Sequence, residues 1–97
     1  MPAYLIVLRE GPVRDEAAFA EYQRLNRVSP PGEFPITPRV LHGAIDALEG
    51  AAPDAVVMLE FPTSADARAW YESANYQAAL PHRLRAGDYR SIIVEGC

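Results

Sequence analysis

The sequence predicts an α+β fold: a four-stranded antiparallel sheet with helices on one face, in the order strand, helix, strand, strand, helix, strand. Three observations lead there. Three short runs rich in β-branched and aromatic residues, "AYLIVLRE", "AVVMLEF" and "YRSIIVEG", are set off by Gly and Pro. Two intervening segments carry apolar residues at helical spacing behind capping residues. In the three runs, apolar residues fall on both faces of the strand rather than on alternate positions.

The elements follow in chain order. The first strand begins at Ala3 and is closed by Gly11-Pro12. In "RDEAAFAEYQRLNR", Asp15 is the expected N-cap, Glu16 and Glu21 lie toward the positive helix end, and Ala18, Phe19, Tyr22 and Leu25 form one apolar stripe. "VSPPGEFPITP" holds four of the nine prolines; it is expected to be extended and stiff, neither helix nor central strand. "RVLHGAIDALEG" is expected as a weaker second strand, bent at Gly43. "AVVMLEF" is the third strand, stopped by Pro62.

Thr63 and Asp66 form a capping box that opens a helix through "SADARAWYES", with Ala67, Trp70, Tyr71 and Ala74 facing inward. A shorter helical piece, "ANYQAAL", starts at Ser73 and is expected to end near Pro81. "YRSIIVEG" is the last strand. The order is the split βαβ, ferredoxin-like arrangement.

The two-sided strands have a consequence for assembly. Leu5 and Val7 point one way and Tyr4, Ile6 and Leu8 the other; Val56 and Met58 oppose Val57 and Leu59, and Ile92 and Val94 oppose Ile93. Two helices cover one face of such a sheet. The other is expected to be covered by a second copy, sheet against sheet, giving a homodimer that encloses a dimeric α/β barrel.

The bulk numbers bound the function. Residues 1–97 are expected to form one domain, with 49% hydrophobic and 23% charged residues, an ordinary balance for a globular chain. A net charge of −4 argues against nucleic acid as a partner, since a phosphate surface needs clustered cations. The apolar run at Ala3 is too short for a bilayer, so no membrane partner is expected. Cys97 is the single cysteine, which fits a cytoplasmic protein.

No pair among His42, His82 and Cys97 has metal-motif spacing, and there is no glycine-rich nucleotide loop, so neither metal nor cofactor is expected. Three residues are candidates for acid–base work. His42 lies on the expected second strand, on a face with Ala44 and Asp46; solvent exposure on an edge strand is its plain role. Glu60 ends the third strand as Arg9 ends the first. These strands are expected to be adjacent and parallel, which suggests an ion pair, or else a buried acid. His82, with Arg83 and Arg85, follows Pro81 near the negative end of the second helical region, where the cations either cap the helix or hold an anion. Trp70, Tyr71 and Tyr76, with Tyr22 from the first helix, are core rings or the walls of a ligand pocket.

These residues also carry a resemblance. The "LEFP" strand end (Leu59 to Pro62), "WYES" leading to "YQ" (Trp70 to Ser73, Tyr76, Gln77) and the closing "VEG" (Val94 to Gly96), with "AYLIV" at the start and "GAIDALEG" between, resemble the domain-of-unknown-function family 1330. The likeness spans nearly the whole chain and implies membership of the dimeric α/β-barrel superfamily, with a ferredoxin-like protomer. It implies no reaction. More distant superfamily relatives include small cofactor-independent monooxygenases and muconolactone-isomerase-like proteins that bind compact organic molecules between sheet and helices, a likeness of fold alone. The family's usual glycine pair and long second strand are replaced here by "FPITPRVLHGA".

Two functions are therefore expected to compete. One is a dimer that binds a compact organic ligand, in the sharper form an anion, between sheet and helices, with a cofactor-independent enzyme as its extended form. Tyr22, Trp70, Tyr71, Tyr76 and Arg83 would hold the ligand, and His42, Glu60 and His82 would be the catalytic candidates. The other is a non-catalytic dimeric scaffold or protein-interaction module.

Overall fold

The computed structural model describes residues 1–28 and 34–97. Its elements are β1 (Ala3–Arg9), α1 (Glu16–Val28), β2 (Thr37–Leu41), β3 (Ala55–Phe61), α2 (Ser64–Tyr71), α3 (Ala74–Ala86) and β4 (Tyr89–Glu95). The strands form one antiparallel sheet in the order β2-β3-β1-β4, with the helices on one face. The expected α+β, ferredoxin-like protomer is present.

The two-residue alternation of side chains sorts the sheet into two faces. Ala3, Leu5 and Val7 of β1 pair with Phe61, Leu59 and Val57 of β3, and all six turn toward the helices. There they meet Ala67 and Trp70 of α2 and Tyr76 of α3. Four rings are linked in this core: Phe61 to Trp70 at 6.0 Å, Trp70 to Tyr76 at 4.3 Å and Tyr71 to Tyr76 at 5.3 Å between centroids. On the other face, Val40, Met58, Ile6 and Ile92 stand opposite one another across all four strands. Ile92 is 53% exposed and Val94 44%, so this apolar face is open in the protomer.

The caps follow from sequence. Asp15 Oδ1 accepts from the Ala18 amide at 3.0 Å at the start of α1. Thr63 Oγ1 accepts from the Asp66 amide at 3.1 Å and donates to Asp66 Oδ2 at 2.9 Å, closing the expected box. Ser73 Oγ donates to the Trp70 carbonyl at 2.7 Å and accepts from the Tyr76 amide at 3.3 Å, so one hydroxyl ends α2 and starts α3. Past β4, the Gly96 amide donates to the Pro2 carbonyl at 2.7 Å, bringing the two chain ends together. A Cβ at Gly96 would stand 2.8 Å from the Tyr4 ring, so glycine permits that approach.

Six expectations are corrected. The second strand is Thr37–Leu41, not a run from Arg39 to Gly50; it starts inside the proline-rich stretch, whose residues 29–33 lie outside the described residues. Pro38 is tolerated because β2 is an edge strand, and a register shift separates Pro38 from Val40. His42 turns the chain out of the strand with a left-handed φ of 57°, so it shares no strand face with Ala44 and Asp46.

β1 and β3 are antiparallel, not parallel: the α1 crossover leaves β2 in the direction of β1, and the return from β2 reverses β3. Arg9 therefore stands opposite Ala55, and Glu60 opposite Tyr4 at the far end. The Arg9–Glu60 pair does not form. Arg9 Nε donates to the Gly11 carbonyl at 3.1 Å, and Glu60 pairs with Arg39 at 3.0 Å.

α3 passes through Pro81 to Ala86 rather than ending there. Proline inside a helix removes one hydrogen bond and costs about 3 kcal/mol. The buried residues Tyr76, Ala79, Arg83 and Ala86 continue at helical spacing across Pro81, and that packing carries the helix on. Ala74, expected to face inward, is exposed, because the break at Ser73 restarts the helix in a new direction.

Candidate ligand site

Between α2 and the outer edge of β4 lies a cleft of about 250 Å³, lined by Leu5, Arg68, Tyr71, Ser91, Ile92 and Ile93. A second depression, lined by Ser64, Ala65, Arg68, Ile93 and Glu95, shares Arg68 and Ile93 with it, so the two form one groove along the edge strand. β1 supplies the floor through Leu5, and β4 one wall through Ile93. α2 supplies the other wall, because its last turn brings Arg68 and Tyr71, three residues apart, onto one side.

Ser91 is the polar residue of the wall that β4 contributes. It stands opposite Val7 on the helix-facing side of the sheet, and its Oγ accepts from Arg83 Nη1 at 3.1 Å. Arg83 is only 3% exposed, yet among the described residues no carboxylate lies within ion-pair distance of it. Its charge is accommodated by the last turn of α3, whose carbonyl dipoles favour a cation, and by the Tyr89 ring, 5.0 Å from the guanidinium carbon. Arg83 Nε and the Tyr89 hydroxyl are buried without a hydrogen-bond partner.

Tyr22 and Tyr76 meet hydroxyl to hydroxyl at 3.1 Å, their rings edge to face. Burial first, then Tyr22, pushes the Tyr76 hydroxyl above the ordinary tyrosine range, against the opposing pull of Arg83. Tyr76 is therefore neutral at physiological pH and serves as a hydrogen-bonding group rather than a base.

The structure divides the residues singled out in the sequence. Tyr71 lines the cleft, and Arg83 reaches it through Ser91. Trp70 and Tyr76 are buried in the core beside it, and Tyr22 packs against that core from α1. His42 lies exposed at the end of β2. Glu60 falls on the open face of the sheet, paired with Arg39. His82 contacts Arg85 on α3, and its charge helps hold Glu21 of α1 below the usual carboxylate range, after the larger effect of Arg24. None of the three acid–base candidates lines the cleft. Sequence reasoning missed Ser91 and Arg68. The available signal for Ser91 was a hydroxyl interrupting the helix-facing series Tyr89, Ser91, Ile93 of an otherwise apolar strand.

Among the described residues no three His, Cys, Asp or Glu side chains converge as a metal site, and no helix is long and apolar enough to cross a membrane.

Comparison with solved structures places this architecture among known ones. A protein of unknown function from Rhodopseudomonas palustris is 20% identical with a TM-score of 0.65, over 99% of this chain and 82% of that one. An ethyl tert-butyl ether d (ethd) family protein from Bacillus halodurans is 17% identical with a TM-score of 0.64, over 100% of both chains. A dimeric protein of unknown function and ferredoxin-like fold from Bacteroides fragilis is 15% identical with a TM-score of 0.59, over 98% of this chain and 96% of that one. At these identities the likeness is one of fold. No curated protein matches the chain. The family, in contrast, is assigned from sequence along nearly the full length: residues 2–97 match the model of the domain of unknown function DUF1330, and the chain belongs to that family.

Proposed function

We propose that the protein is a homodimer that binds a compact organic ligand in the cleft between β4 and α2. The observation that carries this reading is the cleft itself: about 250 Å³ of space on the helix side of the sheet, apolar at Leu5, Tyr71 and Ile93 and polar at Arg68 and Ser91. Apolar walls with a few convergent polar groups are the usual make-up of a small-molecule site. The volume suits a molecule of a few to a dozen or so heavy atoms. Leu5, Arg68, Tyr71, Ser91, Ile92 and Ile93 bring no carboxylate or imidazole to the cleft itself, and the Glu95 carboxylate of the adjoining depression accepts from Ser64 Oγ, so the reading is one of binding, with no reaction assigned.

The dimer is part of the same reading. The row Val40, Met58, Ile6 and Ile92 is an apolar surface with no cover in the protomer, and a self-complementary partner is the simplest cover. The similar Bacteroides fragilis protein, dimeric and ferredoxin-like, supports it.

The test is an amide-resonance NMR screen of the intact chain against compact organic molecules, both neutral and anionic. Saturable shifts clustered at Leu5, Tyr71, Ser91 and Ile93 are expected. Shifts scattered over the surface, or none, would remove the reading.

A second reading, a protein-interaction module, is favoured by one observation. Leu41, Ile45 and Leu48 are exposed, Leu48 at 87%, outside the apolar sheet face. A silent cleft together with solvent protection of these three residues by a bound protein would establish that reading instead.

A further inference from the structure

The geometry points to Ser91 as the recognition point of the cleft and to a carboxylate as the group it recognises; this rests on the cleft being a ligand site. A serine hydroxyl has one hydrogen to give and two lone pairs to receive. Here one lone pair is taken by Arg83 Nη1. The hydroxyl hydrogen has no acceptor among the described residues, while Ser91 itself lines the cleft. A hydroxyl that accepts from a cation is a stronger donor, because each bond of the chain polarises the next. Ser91 therefore offers the cleft a donor backed by a buried positive charge, and an anionic acceptor gains most from it.

The charge count points the same way. Arg83 is buried with no carboxylate beside it among the described residues, so the interior here carries an excess of one positive charge. Arg68, the other cation on the cleft, is exposed and 3.6 Å from Glu72, so it is already partly matched. One unneutralised cation behind the hydroxyl of a cleft-lining residue matches a monoanion. A phosphate would call for several converging donors, such as the amides of a glycine-rich loop. The Leu5, Tyr71 and Ile93 walls then fit the apolar remainder of a small organic acid. In this arrangement Ser91 touches the ligand, and Arg83 is a positioning residue that acts through it.

The experiment is an NMR titration of the full chain with benzoate and hexanoate and, as neutral counterparts of nearly the same shape, benzamide and hexanamide. The acids are expected to bind roughly tenfold or more tightly than their amides, the range for a hydrogen bond to a charged group. Ser91→Ala should bring acid and amide to equal affinity, and Ser91→Thr, which keeps the hydroxyl, should retain the preference. Arg83→Met, which keeps an apolar stem and removes the charge, should lower the acid-to-amide ratio and flatten its dependence on salt, readouts that a purely structural arginine would leave alone.

Equal binding of acid and amide by the unaltered protein, or a preference that survives Ser91→Ala, overturns the inference while leaving the cleft as a ligand site. Absence of all four compounds from the cleft up to about 10 mM, the edge of useful affinity, overturns the underlying reading and the inference with it. The decision rests on Ser91→Ala and Ser91→Thr, small changes at a half-buried strand position, so an Arg83→Met variant that failed to fold would not obscure it.

Discussion

Phe61→Ala is expected to lower the unfolding free energy by about 3–5 kcal/mol, the usual cost of deleting a large buried ring. Phe61 has no exposed surface and is the one large side chain buried so completely among the described residues. It ends β3 directly beneath Trp70, with the ring planes inclined at 46°. Its removal takes away the contact on which Trp70, and through it Tyr76 and Tyr71, are stacked. A domain of this size has about 5–15 kcal/mol in total, so the loss is a large share of it. Phe61→Leu should cost less, because most of the volume remains. Urea denaturation followed by tryptophan fluorescence measures both. A change below about 1 kcal/mol for Phe61→Ala would mean that the space collapses and that the ring stack is not what holds α2 on the sheet.

Ile6→Arg is expected to convert the proposed dimer into a folded monomer. Ile6 stands at the centre of the open sheet face, between Met58 on β3 and Ile92 on β4. In a sheet-to-sheet dimer related by a two-fold axis, each substitution places a guanidinium in the apolar interface, and the symmetry does so twice. Burying unpaired charge there costs several kcal/mol, so the dimer should weaken about a thousandfold or more. Within one protomer the same arginine reaches water, since the face is open, and unfolding of the monomer should change little. Sedimentation at micromolar concentration distinguishes the outcomes: unaltered protein that already sediments as a monomer, or an Ile6→Arg protein that remains dimeric, would contradict the proposed interface.

Much of this fold was legible in local chemistry. β1, β3 and β4 were marked by runs in which both faces are apolar, and the caps at Asp15, Thr63 and Ser73 lie where short polar side chains preceded helical stripes. What was not legible depends on partners distant in sequence. Proline rules end a helix at Pro81, but Ala79, Arg83 and Ala86 are buried around it, and packing overrides the local penalty. β2 begins earlier than expected because the prolines argue against a strand before Arg39, whereas an edge strand paired with β3 on one side admits Pro38 beside a register shift.

The site shows the same division. Tyr71 and Arg83 stood out by type and spacing, but the donor that joins Arg83 to the cleft is a serine in the middle of a strand, ordinary until its neighbours are known. His42, Glu60 and His82 have suitable chemistry in unsuitable places: a strand end, the opposite face of the sheet and a half-buried position on α3 near Glu21 of α1, away from the cleft.

The hydrogen bond between Gly96 and Pro2 has a wider implication. It holds Pro2, just ahead of β1, beside Gly96, just behind β4, so the backbone between these two residues is nearly a closed ring, and the point at which that ring is cut is not what specifies the sheet. The segment from Gly43 to Ala52 is exposed throughout, while Asp54 behind it is fastened to Arg9 and Gly11. Cutting there and joining Gly96 to Pro2 through a short linker would make β3 the first strand and leave every pairing available. In such a circular permutant the strand order along the chain is rewritten, whereas the neighbours of each strand, which shape both the cleft and the open face, are preserved.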